Sequence, residues 1–184
     1  MEAMTRPYLV VIVLFLLPSV VFMGGARVMS MISGRPTVED QKPLNQRWFG
    51  YDTKAVNGYW SALDKPGRRA EQRFLELDLV FPTLYGTALA VSLVTASAML
   101  GSPVHVAWVV APVVVTVLAD WVENLVQLDQ LRNYIESGET GLVARWIHVA
   151  STATIIKLLF FSISSLALLV LLYMLLRSLR AVVA

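Results

Sequence analysis

The sequence contains no cysteine, and this absence excludes disulfides, thiolate metal sites and iron–sulfur clusters. It contains two histidines, His105 and His148, each near the start of a long hydrophobic segment. Consecutive long helices run antiparallel, so we expect the two imidazoles to be solvated and to lie near opposite ends of the bundle. They therefore cannot ligate one haem together. No nucleophile elbow, phosphate-binding loop, His-Glu-x-x-His motif or dinucleotide fingerprint is present. We therefore expect no cofactor and no metal site.

Charged residues are scarce as well. They make up 15% of the 184 residues, against about 25% in soluble domains. Hydrophobic residues make up 57%, and the mean hydropathy is +0.64. A soluble protein of this size could not bury so many long apolar runs, which indicates a membrane protein of one domain. The net charge of +2 is small and the basic residues gather in one loop, so we expect membrane lipids and not nucleic acid as partners.

Four segments reach the roughly 20 apolar residues that cross a bilayer. They are residues 8–26, 75–100, 104–128 and 142–176. The pattern predicts an all-α polytopic membrane protein, with a four-transmembrane-helix bundle in a single domain, 1–184, and one helical extramembrane loop, 27–73. The first segment has an apolar core that is long for a signal peptide, so we interpret it as a retained helix.

The connections between these segments differ in length. Gly101-Ser102-Pro103 predicts a tight hairpin, and residues 129–141 form a polar connection with a turn. The long loop and the 129–141 connection share one side of the membrane, and eleven Lys and Arg residues lie on that side against three on the other. This bias favours a cytoplasmic loop, but Arg6 before the first segment favours the opposite orientation and a long loop can be translocated regardless of charge. The orientation stays open.

The long loop contains a predicted short helix that Asp52-Thr53 can cap. Its apolar face consists of Val56, Tyr59, Trp60 and Leu63, at i, i+3, i+4 and i+7. This face either lies in the membrane interface or packs on the mouth of the bundle, and we favour the packed arrangement. The second long helix is expected to start near Gly67 with a solvated first turn or two that holds Arg68, Arg69, Glu71 and Arg73.

The third segment carries polar side chains where they are costly. A charge at the bilayer centre costs about 2.5–3.5 kcal/mol on insertion scales. Asp120, Glu123 and Asn124 share one helical face because they are spaced i, i+3 and i+4. Antiparallel threading brings Asp78 of segment two and Lys157 of segment four to the same half of the membrane. We predict one buried network that consists of Asp78, Asp120, Glu123, Asn124 and Lys157, with Tyr85 and Thr154 at its edge.

The charges of the predicted network make its chemistry more specific. Three carboxylates and one ammonium leave the network a net charge of roughly −2, and isolated buried charges tend to neutralise. We therefore expect a protonated carboxyl, a bound cation or an additional Arg at the site. The alternative is that these groups only join helices, at about 0.6 kcal/mol each. Pro82 is expected to free a backbone carbonyl near Asp78 and to kink the second helix.

Several short motifs occur in a fixed order along the chain. They are Gly50-Tyr51 before the capped helix, Pro66-Gly67-Arg68, Leu77-Asp78 to Phe81-Pro82 and Tyr85-Gly86, Asp120-Trp121-Val122-Glu123-Asn124, and Thr154 with Lys157. This pattern resembles an uncharacterised group of small bacterial four-helix integral membrane proteins, over about residues 50–160. The resemblance implies a compact four-helix membrane fold in a bacterial inner (cytoplasmic) membrane, and it implies no activity.

Three functions remain open on the sequence. The first is a non-enzymatic integral membrane protein that acts as an accessory or partner-binding subunit of a membrane complex, or as a homo-oligomer. The second is a small lipid-binding or lipid-modifying protein that uses the polar network as an acid–base site. The third is a proton- or ion-coupled transporter, which would need to oligomerise. We rank them in this order, and whether the chain is an enzyme stays undecided.

Overall fold

The computed structural model describes residues 2–39, 41–101 and 105–183, and the side chains of residues 8–39, 41–101 and 105–181. The described chain is all-α. Its six helices are α1 (Glu2–Ser33), α2 (Thr53–Ala62), α3 (Lys65–Leu77), α4 (Phe81–Met99), α5 (Val106–Ser137) and α6 (Ala144–Val183). Short 3-10 turns lie at Leu44–Gln46 and Gly138–Gly141. The Arg6 side chain and most of the expected 101–103 hairpin turn lie outside the described residues.

Four of the helices are long and apolar enough to cross a bilayer. The corresponding stretches are Tyr8–Ser33, Phe81–Met99, Val106–Gly141 and Ala144–Ala181. In the most apolar windows of the first and last stretches, only 11% and 22% of residues are buried inside the molecule. Their outward faces are therefore mostly apolar side chains, as expected where lipid and not water surrounds a helix.

The second predicted segment is broken where a single helix was expected to run through. Helix α3 ends at Leu77, a turn occupies 78–80, and α4 begins at Phe81. Pro82 in the first turn of α4 has no N–H, so the Asp78 carbonyl has no donor four residues ahead. Proline is tolerated at the start of a helix but not in its interior, which explains a break in place of the expected kink.

The third segment continues for more than two turns beyond its predicted end. The prediction of a polar connection over 129–141 is wrong for most of that stretch, because α5 stays helical to Ser137 and only the 3-10 turn follows. Leu131 and Tyr134 are buried on this extension and pack against the loop helix α2. The polar composition of residues 129–141 gave no indication of this apolar stripe. Helices α1 and α6 also extend past their predicted ends.

The loop helix α2 packs on the bundle. All four residues of its predicted apolar face are buried, and they join Leu128, Leu131 and Tyr134 of α5 in one cluster. The expected cap is present, since Asp52 Oδ1 accepts a 2.8 Å hydrogen bond from the Ala55 amide. Asp64 caps α3 in the same way, at 2.7 Å from the Gly67 amide. The packed arrangement of this face is therefore confirmed.

The bundle is layered along its axis. Helices α5 and α6 pack most extensively, α4 lies against both, and α1 contacts α4 and α6. At Gly86 of α4 a Cβ would lie 2.5 Å from Val117 Cγ2, so glycine permits the close approach of α4 to α5. An apolar cluster that includes Leu14, Leu93 and Leu172 fills one end, and the α2 cluster fills the other. The polar side chains lie between these two clusters.

Candidate functional site

An ion cluster joins α5 and α6 at the centre of the molecule. The Lys157 ammonium lies 3.0 Å from Asp120 Oδ1 and also contacts Glu123 Oε2. All three side chains are buried, and Glu123 has no exposed surface. The small residues Ala150 and Ala153 of α6 are buried on the same stripe as Lys157, which lets α6 approach α5 closely enough for these contacts.

The oxygens of the cluster receive further donors. The Tyr85 hydroxyl of α4 donates to Asp120 Oδ2 at 2.8 Å, and Asn124 Nδ2 donates to Asp120 Oδ1 at 3.1 Å. Gln127 Nε2 donates to Glu123 Oε1 at 2.9 Å. Each carboxylate therefore has a cation and neutral donors around it, as a buried charge requires.

Asn124 also holds the break between α3 and α4. Its Nδ2 donates to the Asp78 carbonyl at 2.9 Å, which is the carbonyl that Pro82 leaves without a backbone partner. The Trp121 indole donates to the next carbonyl, that of Leu79, at 2.9 Å. Two side chains of α5 thus replace the backbone hydrogen bonds lost at the break.

The Asp78 side chain stands apart from the ion cluster. It is 4% exposed and lines a cavity of about 520 Å³, and its carboxylate takes part in no hydrogen bond or ion pair with the described residues. Burial, and next the Asp120 carboxylate, raise the pKa of Asp78 to about 7. The sequence placed Asp78 in the same network, and the structure brings it to the edge of that network with its carboxylate unpaired.

Thr154 lies at the edge of the cluster near residues that the predicted site did not include. Its hydroxyl donates to the Ala150 carbonyl at 3.0 Å and lies 3.4 Å from the Tyr51 hydroxyl. Tyr51 accepts from Gln127 at 2.8 Å, and its amide donates to Ser151 Oγ at 2.8 Å. Burial, and next the Glu123 carboxylate, raise the pKa of Tyr51, so this loop residue stays neutral. The loop thereby closes one side of the site.

A second buried ion pair was missed at the sequence level. Arg35 Nε and Nη2 donate to the two Glu71 oxygens at 2.5 and 2.6 Å, and Glu71 is completely buried. The expectation of a solvated Glu71 is therefore wrong. Its spacing to Phe74 and Asp78, i+3 and i+7, places it on the inner face of α3 and was the available signal. The partner in an irregular loop carried no signal.

This second pair is well supported by its surroundings. The Arg35 guanidinium lies 4.0 Å from the centre of the Phe74 ring, and the Tyr59 hydroxyl lies 3.4 Å from Glu71 Oε2. Burial disfavours the Arg35 charge, but the Glu71 carboxylate outweighs this and raises the pKa of Arg35 above its ordinary value. Burial, and next Glu71, raise the pKa of Tyr59 to about 12.

A cavity of about 520 Å³ opens between the loop and the inner half of the bundle. Both ion pairs reach its wall, through Arg35 on the loop side and through Asp120 and Lys157 at its floor. Asp78 and the loop residue Asn45 also line it. The opposite wall is aromatic and contains Phe22, Phe74, Phe81, Tyr85 and Phe161. This volume falls in the range of small-molecule sites, about 300–1,000 Å³.

An apolar groove of about 250 Å³ adjoins this cavity on the side of α1 and α6. Phe22, Tyr85 and Phe161 line both spaces, and the Phe22 and Phe161 rings stack at 4.6 Å between them. Phe22 is 37% exposed, so the boundary is formed by a side chain at the surface and not by packed backbone. Away from the cavity the groove is lined mainly by apolar side chains, among them Leu89 and Leu168.

The two histidines do not contribute to the site. His105 and His148 are both exposed and lie outside the ion cluster and the cavity lining. Within residues 2–39, 41–101 and 105–183, no group of three or more His, Cys, Asp or Glu side chains is arranged to hold a metal ion.

No protein-family model, curated protein or solved structure gives a significant match to this chain. The resemblance to small bacterial four-helix membrane proteins therefore stays a prediction, and the site has to be interpreted from its own chemistry.

Proposed function

We propose that the protein is a non-enzymatic integral membrane protein that binds one lipid-like amphiphile between α1, α4 and α6. The four long helices would cross the membrane, and the resemblance in the sequence would place the protein in a bacterial cytoplasmic membrane. The observation that carries the proposal is that a polar cavity and an apolar groove adjoin and share Phe22, Tyr85 and Phe161 as lining residues. This arrangement has the polarity profile of a molecule with one polar head and one acyl chain.

The position of the groove supports lateral entry. Its wall includes Phe15 and Met23 of α1 and Leu169 of α6, and all three are exposed on the outer surface. An acyl chain could pass into such a groove from the bilayer without entering water. The polar head would then lie in the cavity under the loop, at the depth of Asp78 and Asp120.

The chemistry of the ion cluster favours binding over catalysis. A general base needs an oxygen that is free to take a proton from a substrate. Both Asp120 oxygens already accept hydrogen bonds, and Lys157 is engaged by two carboxylates. We therefore propose that the cluster fixes the floor of the binding site and does not act as acid–base machinery.

Lipid retention tests the proposal. The protein purified in a mild nonionic detergent should retain one lipid per chain, counted by native mass spectrometry. Ser165→Phe should lower this occupancy several-fold because Ser165 lines the groove. Ala167→Phe is the matched control, since Ala167 is exposed on α6 and does not line the groove. A chain that carries no lipid, or equal occupancy in both variants, would contradict the proposal.

A role as a partner-binding subunit is the second candidate. Trp48 and Phe49 stand exposed at the tip of the loop, and Phe49 is completely exposed. If they dock a partner, Phe49→Ser should abolish copurification of that partner from detergent extracts while leaving lipid occupancy unchanged. A chain that copurifies with nothing, before or after this substitution, would argue against this role.

A further inference from the structure

The polar cavity and the side chains that pair with its wall together include more carboxylates than cations. Two cations, Arg35 and Lys157, and two carboxylates, Asp78 and Asp120, line it. Two further carboxylates, Glu71 and Glu123, pair with these cations from outside the lining. If all are ionised, the sum of +2 and −4 is −2. A polar site with excess negative charge in a low-dielectric setting attracts a cation and repels an anion.

The pairing shows which charge is left over. Arg35 is held by both oxygens of Glu71, and Lys157 is held by Asp120 and Glu123. The carboxylate partners already offset the charge of both cations, so an anion at this wall would meet no net positive charge. Asp78 is the buried carboxylate that has no cation and, among the described residues, no hydrogen-bond donor.

A second acceptor belongs to a residue that lines the same cavity. Asn45 lies in the 3-10 turn of the loop, and its Oδ1 is buried without a donor from the described residues. Buried acceptors are normally satisfied, and Asn45 Oδ1 is not. The Asp78 carboxylate, which has no cation, lines the same cavity, so a ligand that donates would suit both groups. The side chains Gln41 and Gln46 complete the polar wall on the loop side.

We propose that the head of the bound amphiphile is an ammonium group, held by the Asp78 carboxylate and the Asn45 carbonyl oxygen. This inference rests on the proposed lipid-binding function and specifies the chemical class of its ligand. The ammonium supplies both the missing positive charge and the missing N–H donors. It belongs either to the head group of a membrane lipid or to a free long-chain amine.

Matched single-chain probes test the head group. Delipidated protein is titrated with dodecylamine, 1-dodecanol and dodecyl phosphate, which differ only in the head, and binding is measured by native mass spectrometry. Dodecylamine should bind at least about tenfold more tightly than dodecanol, because a hydrogen bond to a charged group is worth about one order of magnitude or more. Equal binding of the amine and the alcohol, or preferred binding of the phosphate, would overturn the inference.

Two substitutions test which residues produce the preference for the amine. Asp78→Asn keeps the shape of the side chain and should reduce the amine preference about tenfold. Asn45→Ala should reduce it less, because it removes a neutral acceptor from a loop. Glu136→Gln removes an exposed carboxylate on α5 and should leave the preference unchanged. If Asp78→Asn does not fold, the affinities of the native protein for the three probes and the effect of Asn45→Ala still support or overturn the inference.

The source of the ammonium and the proposed function are tested separately. Nanodiscs that contain phosphatidylethanolamine or phosphatidylglycerol compare a lipid ammonium with a lipid that lacks one. Retention of the ethanolamine lipid assigns the ligand to the membrane, and binding of dodecylamine alone assigns it to a free amine; both outcomes support the ammonium. If all three probes bind equally and Ser165→Phe abolishes their binding, the lipid-binding function is supported and the ammonium inference is wrong. Binding of no probe, with no retained lipid, would contradict both.

Discussion

Lys157 is the residue on which the ion cluster depends. Removing one partner of a buried ion pair leaves an uncompensated charge and costs about 3–5 kcal/mol. Lys157→Met should therefore lower the free energy of unfolding by about that amount, measured by chemical denaturation in detergent. The triple variant that adds Asp120→Asn and Glu123→Gln should regain most of the loss, since the unpaired charges are then gone.

The exposed pair Arg132–Glu76 provides the control for this prediction. Its atoms are 3.4 Å apart and both side chains are about half exposed. Arg132→Met should cost less than about 1 kcal/mol because water screens such pairs. Equal losses for Lys157→Met and Arg132→Met would show that the buried cluster is not the stabilising feature we describe.

Ionisation of the Asp78 carboxyl should make amine binding depend on pH. Burial and the Asp120 carboxylate raise the pKa of Asp78 to about 7, so the carboxyl is protonated and neutral below that pH. Affinity for dodecylamine should therefore rise between pH 5 and 7 and level off above pH 7.5. The probe stays protonated throughout, since a Lys-type amine titrates near 10.4. The charged or titratable groups around Asp78 are Arg35, Tyr85, Asp120, Glu123 and Lys157.

The Asp78→Asn variant checks the origin of this profile. It should bind the amine weakly and without the rise between pH 5 and 7. A rise of unchanged size in the variant would assign the titration to another group, and a flat profile in the native protein would contradict the role of Asp78.

At the scale of elements, two side chains of α5 hold the break between α3 and α4, and Asn124 is the one that replaces the donor missing at Pro82. Asn124→Leu removes the donor to the Asp78 carbonyl and to Asp120 Oδ1 and should cost about 1–3 kcal/mol of unfolding free energy. Pro82→Ala restores a backbone N–H that can reach the same carbonyl. The cost of Asn124→Leu should thus be smaller by about 1 kcal/mol in the Pro82→Ala background.

Another helix proline separates this effect from a general one. Pro112 lies inside α5, away from the break, and Pro112→Ala should not change the cost of Asn124→Leu. If both proline replacements change that cost equally, or if neither does, the Asn124 side chain does not act as the substitute donor.

Helical periodicity predicted part of the elements and part of the site. The shared face of Asp120, Glu123 and Asn124 follows from spacing within one helix, and the structure places Lys157 against the first two. The antiparallel order of the helices predicted how deep Lys157 lies in the bundle, because the number of residues from the helix end sets the position of a residue along the bundle axis. The same reasoning also anticipated the carbonyl that Pro82 leaves free.

Tertiary contacts decided the remainder. The end of α5 depends on the packing of Leu131 and Tyr134 against the loop, which composition alone does not show. Arg35 lies in an irregular segment without periodicity, so its pairing with Glu71 could not be derived from spacing. The cavity is a property of how α1 and the loop sit against α6, and no local pattern encodes it.

At the scale of the whole molecule, two well-packed ends enclose a polar middle layer that opens on one side. The apolar cluster at one end and the α2 cluster at the other hold the bundle together. Between them the polar cavity and apolar groove adjoin along α1 and α6. A molecule built only for helix association would have no need of a cavity of about 520 Å³ next to an unpaired buried carboxylate.

The most direct test of the binding site is an experimental structure determined in lipid, for example by crystallisation from a lipidic mesophase. We expect one elongated ligand, with its polar end within hydrogen-bonding distance of Asp78 and its chain in the groove beside Phe22 and Leu168. A cavity that contains only water, or a groove covered by protein from a neighbouring copy, would contradict this expectation.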